Sequence, residues 1–320
     1  MSEPIRNWAG NVDFRAERVH RPNTLDELRG IVAAAERVRV LGTGHSFNRV
    51  ADTDGDLVRI DALPAEVEIA ADRRSATVAA GLRLAEIAER LHAAGLALPN
   101  LPSLPHISLA GAVATATHGS GDGNQNLAAY VRGIRMVTAD GEVAELTRGE
   151  SADFDGAVVA LGALGAVTHL TIDVQPTFEV AQHVYHDVPL AQLTARQAEV
   201  FASGYSVSGF TDWDSGKVSV WRKLRAGADG GFEQPQPEWL GGRLATEPAH
   251  PVPGMPTENC TAQLAVPGPW HERLPHFRPE FTPSSGRELQ SEFFVPRERA
   301  AEAFEAVHAL GAAVAPVLQI

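Results

Sequence analysis

The chain has 320 residues, 44% of them hydrophobic, which is enough for about two domains with ordinary apolar cores. The formal net charge is −13 and no Lys/Arg cluster occurs, which argues against a nucleic-acid or anionic-membrane partner. The single cysteine, Cys260, excludes an internal disulfide and is most simply a small buried residue. The N-terminus lacks the pattern of a signal peptide, and no run of about 18 apolar residues occurs, so we expect a cytoplasmic protein with no membrane partner.

The first third of the chain alternates between helix and strand signals. Thr24 and Glu27 form a capping box before apolar residues at helical spacing, and Gly95 is placed to end a later helix. The predicted elements are a helix over 24–36, a strand over 37–41 with β-branched residues within 38–41, strands near 57–61, 67–69 and 75–80, and a helix over 82–94.

The strand at 37–41 runs directly into Gly42-Thr43-Gly44-His45-Ser46. Glycines on either side of a threonine allow consecutive backbone N–H groups to converge on a phosphate, and His45 follows directly. A Rossmann loop is not supported, because Phe47 stands where the third glycine is required. A Walker loop is not supported either, because no Gly-Lys-Ser/Thr follows.

The segment from Leu98 to Gly123 is the second informative stretch. Its prolines stiffen an extended lead-in, and residues 108–117 are Ser, Thr, Ala or Gly apart from Leu109 and Val113. A stretch with so little side-chain bulk either packs closely against another element or lets a large ligand lie against its backbone. The sequence leaves both interpretations open.

The remaining elements follow turn and periodicity signals. We predict a hairpin over 131–138 and 142–146, a small helix at 157–164, a strand at 166–174, a domain boundary at 175–177, a helix over 190–203, a hairpin over 207–213 and 217–221, a functional or mobile loop at 226–258, a strand at 289–295, a helix over 297–310, and the start of a strand at 316–320.

Two common kinds of active site have no support. The sequence contains neither His-x-x-x-His nor Cys-x-x-Cys spacing, so we expect no metal site. His106 and His118 are therefore not expected to be metal ligands. No Gly-x-Ser-x-Gly elbow occurs, so a serine hydrolase is not indicated.

Together, these motifs resemble the flavin oxidases of the vanillyl-alcohol-oxidase type, most of all the alditol (xylitol/sorbitol) oxidases, which are related to the sugar-lactone oxidases such as D-arabinono-1,4-lactone oxidase. The matching segments are 7–11, 42–48, 103–108, 115–121, 161–168 and 267–277. The resemblance implies an α+β fold. It comprises a two-subdomain FAD-binding domain of the PCMH type over 12–178 and an α+β cap, or substrate, domain over 179–320 that is incomplete at its C-terminus.

The resemblance also implies FAD as the cofactor, joined covalently through His45 to the 8α-methyl group of the flavin. Ser103 is the implied catalytic residue, beside the flavin and the reacting alcohol. Pro102 occupies the position where the family gates oxygen. The implied cofactor-binding residues are Leu41, Gly42, Thr43, Gly44, His45, Ser46, Ser103, Ser108, Gly111, Thr115, Ala116, Thr117, His118 and the backbone of Val167.

The implied reaction oxidises the terminal primary hydroxyl of an alditol to the aldose and reduces O₂ to hydrogen peroxide, in a monomer. A sugar-1,4-lactone oxidase or dehydrogenase is one alternative. The family continues well beyond the equivalent of Ile320, with a Glu, an Arg, a Thr and a Lys that serve the substrate or flavin. We therefore expect a truncated chain, and a catalytically silent flavin-binding fragment is the other alternative.

Overall fold

The computed structural model describes residues 5–280 and 289–314, which form two compact units. The first unit contains the described residues within 5–118, 125–176 and 289–290. The second contains those within 119–124, 177–280 and 291–314.

The first unit is built from short strands and helices. Its strands are β1 (Arg18–His20), β2 (Val38–Val40), β3 (Asp56–Val58), β4 (Val67–Ile69), β5 (Ser75–Ala79), β6 (Leu96–Ala97), β7 (Val131–Val137), β8 (Val143–Thr147), β9 (Ala166–Asp173) and β10 (Gln175–Pro176). Its helices are α1 (Leu25–Ala34), α2 (Leu84–Ala93), α3 (Leu109–Ala114), α4 (Phe154–Val158) and a 3₁₀ turn at Leu127–Tyr130.

Two main sheets organise this unit. β1, β3 and β2 pair in parallel in that order, whereas β4-β5-β9-β7-β8 is antiparallel, and β6 pairs with β10. Leu28 and Val32 of α1 share one buried cluster with Val58 of the first sheet and Val137 of the second. The partly buried Val38 and Val40 of β2 also pack against this cluster. The cluster therefore anchors β2, and with it the start of the loop that follows β2.

Local signals predicted several of these elements correctly. The Thr24 hydroxyl accepts a hydrogen bond from the Glu27 backbone at the start of α1, and Gly95 adopts φ +73° just after α2. The helix predicted at 24–36, the hairpin of β7 and β8, and strands β2 to β5 and β9 are confirmed to within a few residues.

The second unit is dominated by one antiparallel sheet. Its strands are β11 (Glu179–Pro189), β12 (Ser206–Phe210), β13 (Lys217–Arg225), β14 (Glu238–Trp239), β15 (Gly242–Leu244) and β16 (Gly268–Pro269). Its helices are α5 (Leu190–Ala195), α6 (Gln197–Ala202), α7 (Trp270–Arg273), a 3₁₀ turn at Arg297–Arg299, α8 (Ala300–His308) and α9 (Gly311–Val314). The order is β12-β13-β11-β15-β14, with β16 also on β11. Tyr185 and Val220 pack with Leu193 of α5 and Val200 of α6.

Several predictions for this half of the chain were wrong. Residues 289–295 form no strand, because no strand among the described residues lies beside them to pair with, and Phe293 and Phe294 are 88% and 76% exposed. β11, the longest strand, was missed, since its buried polar residues hide the usual alternation. The helix predicted over 190–203 is interrupted at Arg196.

Smaller differences concern element bounds. The helix predicted at 157–164 is α4, which begins and ends earlier, and the helix predicted over 297–310 begins as a 3₁₀ turn. The strand predicted at 316–320 lies outside the described residues. Within the described residues, no helix is both long and apolar enough to cross a membrane.

Lys223 is a buried amine in the second unit. Its side chain, 1% exposed, stands opposite Gln182 of β11 and donates to the Leu274 carbonyl. Burial lowers the pKa of Lys223 to about 7 and raises the pKa of the nearby Cys260 thiol to about 11. His276, also packed near Lys223, has its pKa lowered by burial as well. The sheet therefore carries an amine that is largely neutral above neutral pH.

This amine makes stability depend on pH. Above pH 7 the folded chain holds Lys223 neutral, whereas the unfolded chain keeps it charged up to its ordinary pKa of 10.5. The unfolded state therefore binds more protons in this window, and the contribution of Lys223 to stability rises with pH. Relative to Lys223→Met, the native sequence should gain about 2 kcal/mol between pH 7 and pH 9. Urea unfolding at both pH values measures this gain, and an unchanged difference would contradict it.

Candidate functional site

The loop after β2 carries the first group of predicted site residues. Leu41 is buried and donates its N–H to Val58, so the loop starts from a fixed point. Gly44 adopts φ +72°, a conformation that favours glycine. Among the described residues, the backbone N–H groups of residues 42–46 donate no hydrogen bond. Five consecutive donors thus have no partner within the described residues, and a phosphate-binding loop needs such available N–H groups.

Ser108 connects this loop to the small-residue stretch. Its backbone N–H donates to the Thr43 hydroxyl at 3.3 Å. A Cβ on Gly42 would lie 2.3 Å from the Ser108 Oγ, and one on Gly111 would lie 3.1 Å from it. The Ser108 Oγ is itself buried and has no hydrogen-bond partner among the described residues. The fold thus brings two glycines and an unpaired hydroxyl to one place.

The stretch after α3 turns sharply. The Thr115 hydroxyl donates to the Gly111 carbonyl at 2.9 Å, and Ala116 adopts φ +55°, which is unusual for a residue with a Cβ. The Thr117 N–H then donates to the Ala112 carbonyl at 2.8 Å, and the chain continues through the partly buried His118. Residues 115–118 thus fold back against α3 rather than extend it.

His45 lies in an environment that keeps it neutral. Burial, with a smaller contribution from the nearby His106, lowers the pKa of His45 to about 4. Its buried Nδ1 has no hydrogen-bond partner among the described residues. The ring stacks on Trp8, with centroids 4.9 Å apart and planes 21° from parallel. A neutral, unpaired imidazole nitrogen is suited to act as a nucleophile.

The N-terminal segment 7–11 holds the loop from the other side. The Trp8 N–H donates to the Gly44 carbonyl at 2.8 Å. The side-chain amides of Asn7 and Asn11 donate to the carbonyls of Ser46 and Phe47 at 3.0 and 2.9 Å. This segment therefore uses the carbonyl groups of the loop and leaves its N–H groups available.

The Ser103 side chain is exposed, whereas the Val167 side chain packs in the core. Ser103 is exposed, next to the buried Pro102, on the segment that enters α3. Val167 lies on β9 opposite Met136, and its side chain packs against the buried cluster that also contacts Ala110. The Val167 side chain thus belongs to the core, and its backbone lies beyond His169, where the pairing of β9 with β5 ends.

Sequence reasoning missed two neighbours of His45. It matched segment 7–11 to a family without giving those residues a role, and it considered His106 only as a metal ligand. Both approach His45 from distant parts of the sequence, so no local pattern identifies them. For segment 7–11, the one signal in the sequence was its run of Asn, Trp and Gly residues before the first strand. In the described part of the chain, no group of three or more His, Cys, Asp or Glu residues could hold a metal ion.

Comparison with known proteins gives consistent matches. A family profile described as an FAD binding domain matches residues 16–147. An alditol oxidase from a Streptomyces species is 53% identical over 323 residues, covering 100% of this chain and 76% of that protein. The L-gulono-1,4-lactone dehydrogenase of Mycobacterium tuberculosis is 36% identical over 187 residues, covering 57% of this chain and 43% of that enzyme. The L-gulonolactone oxidase of Mus musculus is 30% identical over 183 residues, covering 56% of this chain and 42% of that enzyme.

Proposed function

The chain belongs to the alditol oxidase family of FAD-dependent oxidoreductases, and on this basis we propose that it oxidises the terminal primary hydroxyl of alditols such as xylitol and sorbitol. The product is the aldose, and O₂ is reduced to hydrogen peroxide. The observation that carries the proposal is the 53% identity to an alditol oxidase along the whole chain, against matches to 57% of the chain or less for the lactone enzymes.

The two parts of the chain take different roles in this proposal. Residues 12–178 hold FAD, and residues 179–320 belong to the substrate domain. The matched FAD-binding profile, which covers residues 16–147, falls within the first of these ranges.

The residues of the first unit fit a dinucleotide cofactor. The free N–H groups of 42–46 suit a pyrophosphate, and Gly42, Ser108 and Gly111 form a cradle without side-chain bulk. The unpaired Ser108 hydroxyl supplies a further hydrogen bond. The remaining proposed contacts come from Leu41, Thr43, Gly44, Ser46, Thr115, Ala116, Thr117, His118 and the Val167 backbone.

When bound, FAD supplies the acceptor for the hydride that leaves the alcohol carbon. The chain binds and orients the two reactants. Ser103, which is exposed beside a rigid proline, is proposed to hydrogen-bond the reacting hydroxyl and hold it toward the flavin.

We assign His45 the covalent bond to the flavin. The bond would join an imidazole nitrogen of His45 to the 8α-methyl carbon, with loss of one methyl proton and of the imidazole proton. FAD would supply the electrophilic carbon and accept the electron pair, and O₂ would finally take up the two electrons and two protons as hydrogen peroxide. The lowered pKa of His45 supports this role, because the attacking nitrogen is unprotonated at neutral pH.

A sugar-lactone oxidase or dehydrogenase is the second candidate, supported by the 36% identity to L-gulono-1,4-lactone dehydrogenase. Flavin bleaching, oxygen uptake and peroxide formation separate the two when the purified yellow protein is given xylitol, sorbitol or L-gulono-1,4-lactone, since bleaching also reports a dehydrogenase. We expect all three signals with the alditols and none with the lactone. Turnover of the lactone alone would favour the second candidate, and a flavin that no substrate bleaches would indicate a silent flavin-binding chain.

A further inference from the structure

We propose that Trp8 is a positioning residue for covalent flavin attachment, which holds the His45 imidazole in its bonding orientation while segment 7–11 fixes the loop around it. This inference rests on the proposed bond between His45 and the flavin.

The contact between Trp8 and His45 determines how the imidazole lies. The rings are nearly parallel, with an interplanar angle of 21° and a centroid distance of 4.9 Å, which is an offset-stacked arrangement. Phe47 packs its edge against Trp8, with centroids 6.3 Å apart and planes at 85°. The indole is thus supported by a second ring while its face covers the imidazole.

No hydrogen bond takes over this role. Within the described residues, the His45 side chain makes no hydrogen bond, and Trp8 is the one aromatic ring in contact with it. A histidine is usually oriented through the hydrogen bond of one ring nitrogen, which leaves the other nitrogen to react. Here ring stacking replaces that bond and leaves the buried Nδ1 unpaired.

The backbone around His45 is held by the same segment. Trp8 donates to the carbonyl of Gly44, the residue before His45, and Asn7 donates to the carbonyl of Ser46, the residue after it. The Asn7 carboxamide oxygen accepts from the Val12 N–H at 3.0 Å, which closes segment 7–12 into a turn. Backbone and ring are therefore fixed together, so the nucleophile has few orientations available when the flavin binds.

Covering one face of the ring has an electrostatic consequence. Trp8 reduces the access of water to the partly buried imidazole, and burial is the main cause of the lowered pKa of His45. Removing the indole should hydrate the ring, so that a larger fraction of His45 is protonated and unreactive as the pH falls toward 6. The proposed role thus predicts both a rate effect and a shift in the pH profile.

The test compares the full chain with Trp8→Phe, Trp8→Leu and His45→Ala. Phe14→Leu, just beyond segment 7–11, is the control for losing an aromatic ring near this segment. Each purified protein is incubated with FAD between pH 5.5 and 8. Acid-stable flavin is followed over time, beside total bound FAD and the melting temperature. A misplaced nucleophile typically loses one to two orders of magnitude in rate, so we expect Trp8→Leu to attach flavin about tenfold more slowly or worse.

Trp8→Phe retains a stacking ring and should attach flavin within about threefold of the native rate, because face-to-face contact is preserved. Phe14→Leu should match the native protein, and His45→Ala should attach none. In Trp8→Leu the rate should also begin to fall at a higher pH than in the native protein, whereas total bound FAD stays similar.

Equal rates and equal pH profiles for Trp8→Leu and the native protein would overturn the inference while leaving the bond to His45 intact. Absence of acid-stable flavin in the native protein would overturn both. If Trp8→Leu does not fold, Trp8→Phe decides: its smaller ring covers less of the imidazole, so its pH profile should move upward. A profile identical to the native one would then overturn the proposal.

Discussion

A His45→Ala variant is expected to bind FAD and lose all acid-stable flavin. The free N–H groups of residues 42–46 and the cradle at Ser108 remain in this variant, so non-covalent binding persists. The attacking nitrogen is gone, and no bond to the 8α-methyl group can form. After acid precipitation the yellow colour should stay in the pellet for the native protein and move to the supernatant for the variant.

His169→Ala is a suitable control for this experiment. His169 lies on β9 in the same unit, and its Nε2 is 3.5 Å from the Glu66 Oε2. It has no role in the proposed attachment of the flavin. Its flavin should remain acid-stable. Acid-stable flavin in His45→Ala would contradict the assignment of the bond to His45.

Gly42→Ala is expected to weaken FAD binding about 5- to 150-fold, because overpacking of this kind costs about 1–3 kcal/mol. The added Cβ would lie 2.3 Å from the Ser108 Oγ, so either the loop or the serine must move. Fluorescence titration with FAD in a His45→Ala background measures the non-covalent affinity. Gly30→Ala, where a Cβ meets nothing within 4 Å, is the matched control and should bind FAD normally.

A double variant identifies the cause of the effect. In Ser108→Ala the oxygen is removed and the nearest atom to a Cβ at position 42 is the Ser108 Cβ, at 3.5 Å, an ordinary contact. Gly42→Ala should therefore add little to Ser108→Ala, so the two effects should be strongly non-additive. Additive losses of FAD affinity would show that the added Cβ at position 42 weakens binding by some means other than its clash with the Ser108 hydroxyl.

Local chemistry explains which parts of the fold could be predicted from the sequence. The N-cap at Thr24, the left-handed glycine at 95 and the turn between β7 and β8 are encoded by neighbouring residues, and the structure contains all three, although the Glu27 side chain accepts from the Asn23 N–H and so does not close the predicted capping box. The order of strands in each sheet depends on distant pairings and was not predictable. Residues 289–295 show the converse error: they were interpreted as a strand, although no strand in the described part of the chain pairs with them.

The candidate site divides in the same way. The glycines and His45 of the loop after β2 could be recognised from the sequence, because a strand followed by small residues is a local pattern. The approach of Ser108 to Gly42 and the stacking of Trp8 on His45 join residues that are far apart in the sequence. Only the folded chain brings these residues together.

Peptide mapping of the native holoprotein tests the central claim most directly. Trypsin cleaves after Arg39 and Arg49 and releases the loop as residues 40–49. If His45 is bonded to the cofactor, this peptide carries the added mass of FAD, and fragmentation places that mass on the histidine. An unmodified 40–49 peptide from yellow, FAD-saturated protein, or FAD mass on any other peptide, would contradict the account.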